Sequence, residues 1–185
     1  MRRYWFPKAY ADAVARLRVP SGFLLVAAFA WFSRPSGESL AWGVPVSLSG
    51  LALRAWAAGH LAKNQTLATS GPYAYVRNPL YIGTLLVACG LAIAARNVGL
   101  AALFAAVFLL IYLPVIELEE QHLREIFPEY PAYAAEVPVL WPRLTPKKFP
   151  KTANLFQCRL YLTNQEYQAA VGFLAGILLL VWKTM

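Results

Sequence analysis

The sequence predicts an all-α fold, an integral membrane bundle of about five transmembrane helices. Of its 185 residues, 59% are hydrophobic and only 14% are charged, which is unlike an ordinary soluble domain. The hydrophobic residues gather in long runs, and residues 98–116 form a run without a charge that is long enough to cross a bilayer. The length suits a single membrane domain over residues 1–185.

These runs define the predicted elements in chain order. The first span is short and needs flanking residues or a tilt against the surface. The second contains Arg54 and several glycines, and is the least lipid-like of the long spans. The fourth is expected to leave the membrane as one helix that ends near residue 126. The predicted spans are residues 20–32, 40–60, 80–95, 98–116 and 167–182.

Two basic segments flank this series of spans. Residues 1–18 begin with Arg2 and Arg3 followed by aromatic residues, which predicts an interfacial segment rather than a removable signal peptide. A disordered basic tail is the alternative for these residues. Residues 143–166 are basic and contain prolines, and they predict a cytoplasmic connection to the final span.

The distribution of charge predicts the orientation in the membrane. Most of the 17 lysines and arginines fall in segments that five spans place on one side. This positive-inside pattern predicts a cytoplasmic N-terminus, an external C-terminus and contact with anionic membrane lipids, and makes nucleic acid an unexpected partner. With Cys89 and Cys158 far apart and only two histidines, no disulfide framework and no metal site are predicted, while the oligomeric state stays open.

A polar turn precedes the third span. Arg77 and Asn78 lie between two prolines and directly before an uncharged run, so they are expected at the membrane boundary. Polar groups at that depth are costly unless they line a cavity. Pro79 is a good first helical residue, and the new helix offers unpaired N–H groups to an anionic ligand. A turn that only redirects the chain explains the prolines but not Arg77.

Carboxylates begin directly after the fourth apolar run. Glu117, Glu120 and Arg124 share one helix face, and Glu119 lies on the neighbouring stripe. A solvated helix end is the simpler interpretation, and a polar site shared with Arg77 is the functional one. His60 ends the second span as either a packed residue or a ligand. Arg54, a candidate substrate-binding residue, can contact a lipid headgroup, pair with an acid or snorkel.

Together these blocks resemble the isoprenylcysteine carboxyl methyltransferases and the related phospholipid N-methyltransferases. The resemblance covers residues 60–142, and its two blocks occur in the family's order around a helical hairpin. The first block is Gly71-Pro72-Tyr73 followed by Arg77-Asn78-Pro79-Leu80-Tyr81-Ile82-Gly83. The second block is Glu119-Glu120 followed by Leu123, Phe127, Tyr130, Tyr133 and Val137-Pro138.

The resemblance implies an integral membrane enzyme with a cytoplasm-facing pocket for S-adenosylmethionine. The acceptor is then lipid-like, of an isoprenoid, prenylated or phospholipid type, and enters from the bilayer. Arg77, Glu119 and Glu120 would be the catalytic groups. The residues implied for cofactor binding are His60, Tyr73, Asn78, Pro79, Tyr81, Gly83, Tyr130, Tyr133, Val137 and Leu140.

The chain also departs from the family's pattern. Asn78 stands where the family has a histidine between arginine and proline, and Val139 stands where it has an arginine. Pro128 replaces a glycine, and residues 143–185 have no counterpart in the pattern. A role that needs an imidazole at position 78 is therefore not implied, Val139 removes a cation, and the resemblance does not transfer the identity of the acceptor.

Two other functions compete with methyl transfer. An NADPH-dependent membrane reductase of the sterol reductase type also uses an arginine and proline turn between membrane helices. Between Lys63 and Leu118, however, only Arg77 and Arg96 are available for a 2′-phosphate. A non-enzymatic membrane protein that docks a partner on its basic surface is the third reading, and it leaves Arg77 and the paired glutamates unexplained.

Overall fold

A computed structural model describes residues 5–147, Phe149 and residues 155–185. The described residues form helices and contain no strand, which confirms the all-α class. A short 3₁₀ turn at Gly71–Ala74 and a π-helical segment at Phe108–Tyr112 interrupt the α-helical series. The helices are α1 Lys8–Phe32, α2 Gly37–Ala58, α3 Pro79–Ala95, α4 Val98–Val107, α5 Leu113–Ile126, α6 Tyr130–Glu136, α7 Cys158–Thr163 and α8 Tyr167–Trp182.

Two helices of the described part are long and apolar enough to cross a membrane. They are α1 and the continuous helix Val98–Ile126, which joins α4 and α5 through the π-helical segment. The expectation of one helix from residue 98 to about 126 is therefore confirmed. Helices α3 and α8 are shorter and apolar. These helices support membrane association, whereas the number of five spans remains a prediction.

The first helix differs from its expected boundaries. Residues 1–18 were expected as a separate interfacial segment before a span at 20–32, but α1 begins at Lys8 and continues through Pro20. A proline removes one N–H donor and crowds the carbonyl four residues earlier, but helix formation is cooperative, so the flanking turns keep the helix continuous. The structure thus joins the two predicted elements into one helix. Arg2 and Arg3 lie outside the described residues.

Helices α2 and α3 pack at very close range through small residues. A Cβ atom at Gly90 would overlap the backbone of Gly43 and Ser47. The hydroxyl of Ser47 donates a hydrogen bond to the Val87 carbonyl at 3.0 Å. Small residues with a serine hydrogen bond across the contact are typical of helix pairs in membranes, where close backbone approach supplies the packing energy.

The long helices run in alternating directions between two ends of the bundle. At the far end, the Arg34 N–H donates to the Ala95 carbonyl at 2.8 Å, and Lys183 Nζ donates to the Ser33 carbonyl at 2.8 Å. At the opposite end, which we call the site end, Arg54 of α2 pairs with Glu166 directly before α8. The site end therefore collects the polar side chains that the sequence analysis singled out.

Candidate active site

The site end is organised around Arg77 and Glu120. Arg77 Nε lies 3.2 Å from Glu120 Oε1, and these side chains are only 10% and 13% exposed. Asn78, the residue before α3, donates from Nδ2 to Glu120 Oε1 at 3.3 Å and to the Val139 carbonyl at 3.2 Å. The backbone N–H of Arg77 donates to the Pro138 carbonyl at 2.9 Å. The turn before α3 is thus tied to both α5 and the segment after α6.

The adjacent glutamates of α5 have different partners. Glu119 Oε1 lies 3.2 Å from Arg18 Nη1 of α1, and both side chains are about half exposed. Glu117 accepts hydrogen bonds from the N–H groups of Trp5 and Phe6 at 2.6 and 3.0 Å. Successive residues of an α-helix point about 100° apart, so three carboxylates within one turn reach three different neighbours.

A larger cavity of about 680 Å³ lies on the Glu119 side of this arrangement. Its wall is formed by α1, α2, α3, α5, α6 and the loop that follows α2. It therefore brings together side chains from both blocks of the sequence motif. The predicted site residues that line it are Arg54, Tyr73, Arg77, Asn78, Pro79, Tyr81, Glu119, Tyr130 and Tyr133.

A smaller cavity of about 450 Å³ lies on the Glu120 side. Its wall includes four residues of α5, which are Glu117, Glu120, Gln121 and Arg124. Arg77 lines this cavity as well as the larger one. Arg77 therefore lies between the two cavities, and Glu119 lines one of them while Glu120 lines the other.

Tyrosines form much of the polar lining of the larger cavity. Tyr73 Oη is buried and has no hydrogen-bond partner among the described residues. Burial raises the pKa of the Tyr73 hydroxyl, so the group stays a protonated donor. Tyr133 Oη donates to the Tyr73 carbonyl at 2.8 Å and holds the 3₁₀ turn against α6. An unpaired buried hydroxyl beside a cavity is suited to a polar ligand.

Four predicted cofactor residues lie outside the lining of both cavities. His60 is buried, with Nδ1 2.9 Å from the Trp56 carbonyl, and its ring packs where a Cβ at Gly71 would stand. Gly71 has φ +58°, a conformation that suits glycine. Gly83 allows close contact between α3 and α2. Val137 lies in the core with Tyr130 and Tyr133, and Leu140 is partly buried.

The π-helical segment is a feature that the sequence analysis missed. Pro114 has no N–H group, so the Leu110 carbonyl loses its usual partner four residues on. The Tyr10 hydroxyl of α1 donates to that carbonyl at 2.7 Å instead. The segment positions Tyr112 in the wall of the larger cavity, with its ring 6.1 Å from that of Tyr81. Pro114 inside an apolar run was the available signal.

Arg54 takes one of its three predicted roles by pairing with an acid. Its guanidinium contacts the Glu166 carboxylate and the Thr84 hydroxyl, and donates to the Leu80 carbonyl at 3.3 Å. Glu166 is 112 residues further along the chain, and no local pattern connects the two. Arg18 and Lys63 also line the larger cavity and were not predicted.

The part of the sequence that carries Arg77 and Glu120 matches a known family. Residues 41–130 match the phospholipid methyltransferase family model. This match confirms the resemblance that the two sequence blocks indicated, and it points to a methyltransferase in general. The phospholipid methyltransferase match contains Arg77, Asn78 and Glu120 and ends at Tyr130. Residues 143–185, including Glu166, lie beyond it.

Two metal-resistance proteins are similar to about half of the chain. A cobalt-zinc-cadmium resistance protein of Cupriavidus metallidurans is 40% identical over 94 residues, which are 50% of this chain and 44% of the relative. A nickel-cobalt-cadmium resistance protein of Alcaligenes xylosoxydans xylosoxydans is 37% identical over 94 residues, with the same shares. The chain thus spans less than half the length of the relatives it matches. No solved structure matches the chain significantly.

Proposed function

We propose that the chain is an integral membrane methyltransferase that uses S-adenosylmethionine and modifies a lipid-like acceptor of an isoprenoid, prenylated or phospholipid type. One observation carries the proposal. Arg77 and Glu120, from the two blocks of the family pattern, form a buried pair 3.2 Å apart between two cavities, inside the phospholipid methyltransferase match. Buried charged groups beside a cavity are a frequent feature of functional sites.

The residues of the larger cavity fit the proposed cofactor. A cavity of about 680 Å³ has the size of a small-molecule site. The unpaired Tyr73 hydroxyl can donate to a polar atom, and the rings of Tyr81 and Tyr112 can contact a cation. Glu119 adds a carboxylate to the same wall. Tyr73, Asn78, Tyr81, Tyr130 and Tyr133 are the residues we propose to hold the cofactor.

Arg77, Glu119 and Glu120 would have different roles in methyl transfer. S-adenosylmethionine, when bound, supplies an electrophilic methyl group on a positively charged sulfur. Arg77 orients an anionic acceptor through its planar guanidinium, while Glu119 balances positive charge or takes a proton from a neutral acceptor. Glu120 holds Arg77 through the ion pair, and Asn78 holds Glu120 by donating a hydrogen bond to its Oε1. Orientation and exclusion of water then supply much of the acceleration.

The helices around the larger cavity support the proposal of a lipid-like acceptor. Residues of α1 and of the helix Val98–Ile126, the two helices apolar enough to cross a membrane, line it together with α3. An acceptor with a hydrocarbon chain can approach between such helices. We place the site end on the cytoplasmic side, in line with the positive-inside pattern of the sequence.

Binding and transfer assays test this function directly. Purified protein is titrated with S-adenosylhomocysteine and, in parallel, with NADPH. Binding of the first and not the second is expected, and the reverse would favour a reductase. Labelled S-adenosylmethionine is then incubated with the protein and a total lipid extract. Label in the lipid fraction supports the proposal, and failure both to bind the nucleoside and to transfer label would refute it.

A further inference from the structure

The strongest unexplained contact at the site end joins Arg54 to Glu166. Arg54 lines the larger cavity, and Glu166 stands behind it with a side chain only 8% exposed. Glu166 Oε1 is hydrogen bonded to Arg54 Nε and lies against Nη2. Arg54 Nη1 donates hydrogen bonds to the Thr84 hydroxyl and to the Leu80 carbonyl. The charge of Arg54 is therefore balanced by a residue that does not line the cavity.

The segment that carries Glu166 is anchored to the same wall by further contacts. Asn164 Nδ2 donates to the carbonyls of Ala58 and Leu61 at 3.0 and 2.9 Å, where α2 ends and the cavity loop begins. The Gln157 N–H donates to the Gly59 carbonyl at 2.9 Å. These bonds satisfy carbonyl groups that the end of a helix leaves free. They hold Glu166 beside Arg54.

The pair of Arg54 and Glu166 is one of several ion pairs that balance positive charge around the larger cavity. The lining contains the three arginines Arg18, Arg54 and Arg77, together with the exposed Lys63. Each arginine has a glutamate partner, which is Glu119, Glu166 and Glu120 in turn. Loss of the Glu166 charge would leave Arg54 uncompensated in the wall of the proposed cofactor site. An uncompensated cation there would repel a second cation.

We propose that Glu166 is a positioning residue that fixes and neutralises Arg54, so that the larger cavity accepts a cationic methyl donor. This inference rests on the proposed function. It assigns a role to a residue outside the family match, within the C-terminal segment that the family pattern lacks.

Comparison of two ligands tests the charge balance. S-adenosylmethionine carries a sulfonium charge, and S-adenosylhomocysteine carries a neutral thioether in its place. For Glu166→Gln, the ratio of the two dissociation constants should shift at least about sixfold against S-adenosylmethionine, as expected for a unit charge within roughly 15 Å at an effective dielectric of about 20. Arg54→Gln leaves Glu166 unpaired, so it should shift the ratio in the opposite direction.

A double variant separates charge from structure. Arg54→Gln/Glu166→Gln restores the original net charge, so its ratio should return to the wild-type value. Glu136→Gln is the matched control, since Glu136 pairs with Lys147 at 2.9 Å and lines neither cavity. Each variant is also checked by its melting temperature in detergent. If Glu166 were only structural, both ligands would lose affinity equally.

The outcomes distinguish a failure of the proposed role of Glu166 from a failure of the proposed methyltransferase function. Wild-type protein that binds neither ligand would remove the proposed function. Wild-type protein that binds both, with an unchanged ratio in Glu166→Gln and Arg54→Gln, would overturn the role of Glu166 alone. Should Glu166→Gln fail to fold, the opposite shift in Arg54→Gln and its cancellation in the double variant still decide the question.

Discussion

Arg77 pairs with Glu120 at 3.2 Å, although Glu119 is the next residue in the chain. Glu119 instead pairs with Arg18 of α1 at 3.2 Å. The first pair is buried, and the second is about half exposed. Exposed ion pairs contribute little to stability, whereas a buried pair becomes costly when one partner is removed. The two glutamates therefore have different consequences when they are replaced.

Arg77→Lys tests whether the guanidinium acts in the reaction. Lysine keeps the charge beside Glu120 but loses the planar group with several donors. We expect turnover to fall by about tenfold or more, equivalent to roughly 1.4 kcal/mol of barrier, with a small change in melting temperature. Methyl transfer into a lipid extract is the measurement. Arg159→Lys, at an exposed position, is the control, and equal activity in both variants would reduce Arg77 to a structural anchor.

Glu120→Gln tests the buried pair from its other side. The substitution leaves Arg77 without a charged partner, which costs about 3–5 kcal/mol for a buried pair. We expect a clear drop in melting temperature in detergent. Glu119→Gln should change it little, because the Arg18 pair is exposed. Equal drops for the two variants would contradict the burial described here.

Gly90→Ala tests the close contact between α2 and α3. The added methyl group meets the backbone of Gly43 and Ser47, so the helices must separate. Overpacking of this kind costs about 1–3 kcal/mol. Unfolding in detergent is the measurement. Gly176→Ala of α8 is the matched control because no atom lies within 4 Å of the new methyl group. Similar losses in both variants would mean that the effect comes from helix propensity or from lipid contact.

Tyr10→Phe tests the hydrogen bond that follows from Pro114. The substitution leaves the Leu110 carbonyl without the Tyr10 hydroxyl, which lies 2.7 Å away. We expect a loss of about 1 kcal/mol in stability, the size usual for side-chain hydrogen bonds between membrane helices. Tyr167→Phe, at a half-exposed position of α8, serves as the control. In Tyr10→Phe/Pro114→Ala the restored N–H should recover part of the loss, and no recovery would refute the explanation of the π-helical segment.

The orientation in the membrane is a separate prediction. Five spans place the N-terminus in the cytoplasm and Lys183 outside. Cysteines introduced near Trp5 and near Lys183 should react with an impermeant reagent from opposite sides. Reaction from the same side would show an even number of spans. The alternating helix directions agree with an odd number, because Lys183 meets Ser33 at the end opposite Glu166.

Sequence patterns predicted the long apolar helices but not the short helices α6 and α7. An apolar run predicted the continuous helix Val98–Ile126, and a shared membrane boundary predicted that Arg77 lies near the carboxylates of α5. They did not predict which glutamate meets Arg77, because both lie on adjoining faces of one helix. They also assigned His60 to the cofactor, which stays a prediction, and the structure packs the His60 ring against Gly71 with Nδ1 near the Trp56 carbonyl. A side chain at a helix end can turn inward or outward, and only the neighbouring segments decide.

The sequence by itself determined the all-α class, the membrane association and the family resemblance, because hydropathy and short motifs are local properties of the chain. Only the tertiary structure decided the pairs Arg54–Glu166 and Arg18–Glu119, the two cavities beside Arg77 and the bond from Tyr10 to Leu110. Those contacts join residues about 100 positions apart. They depend on which helices pack together, and buried charges and freed carbonyls take whichever partner that packing brings within reach.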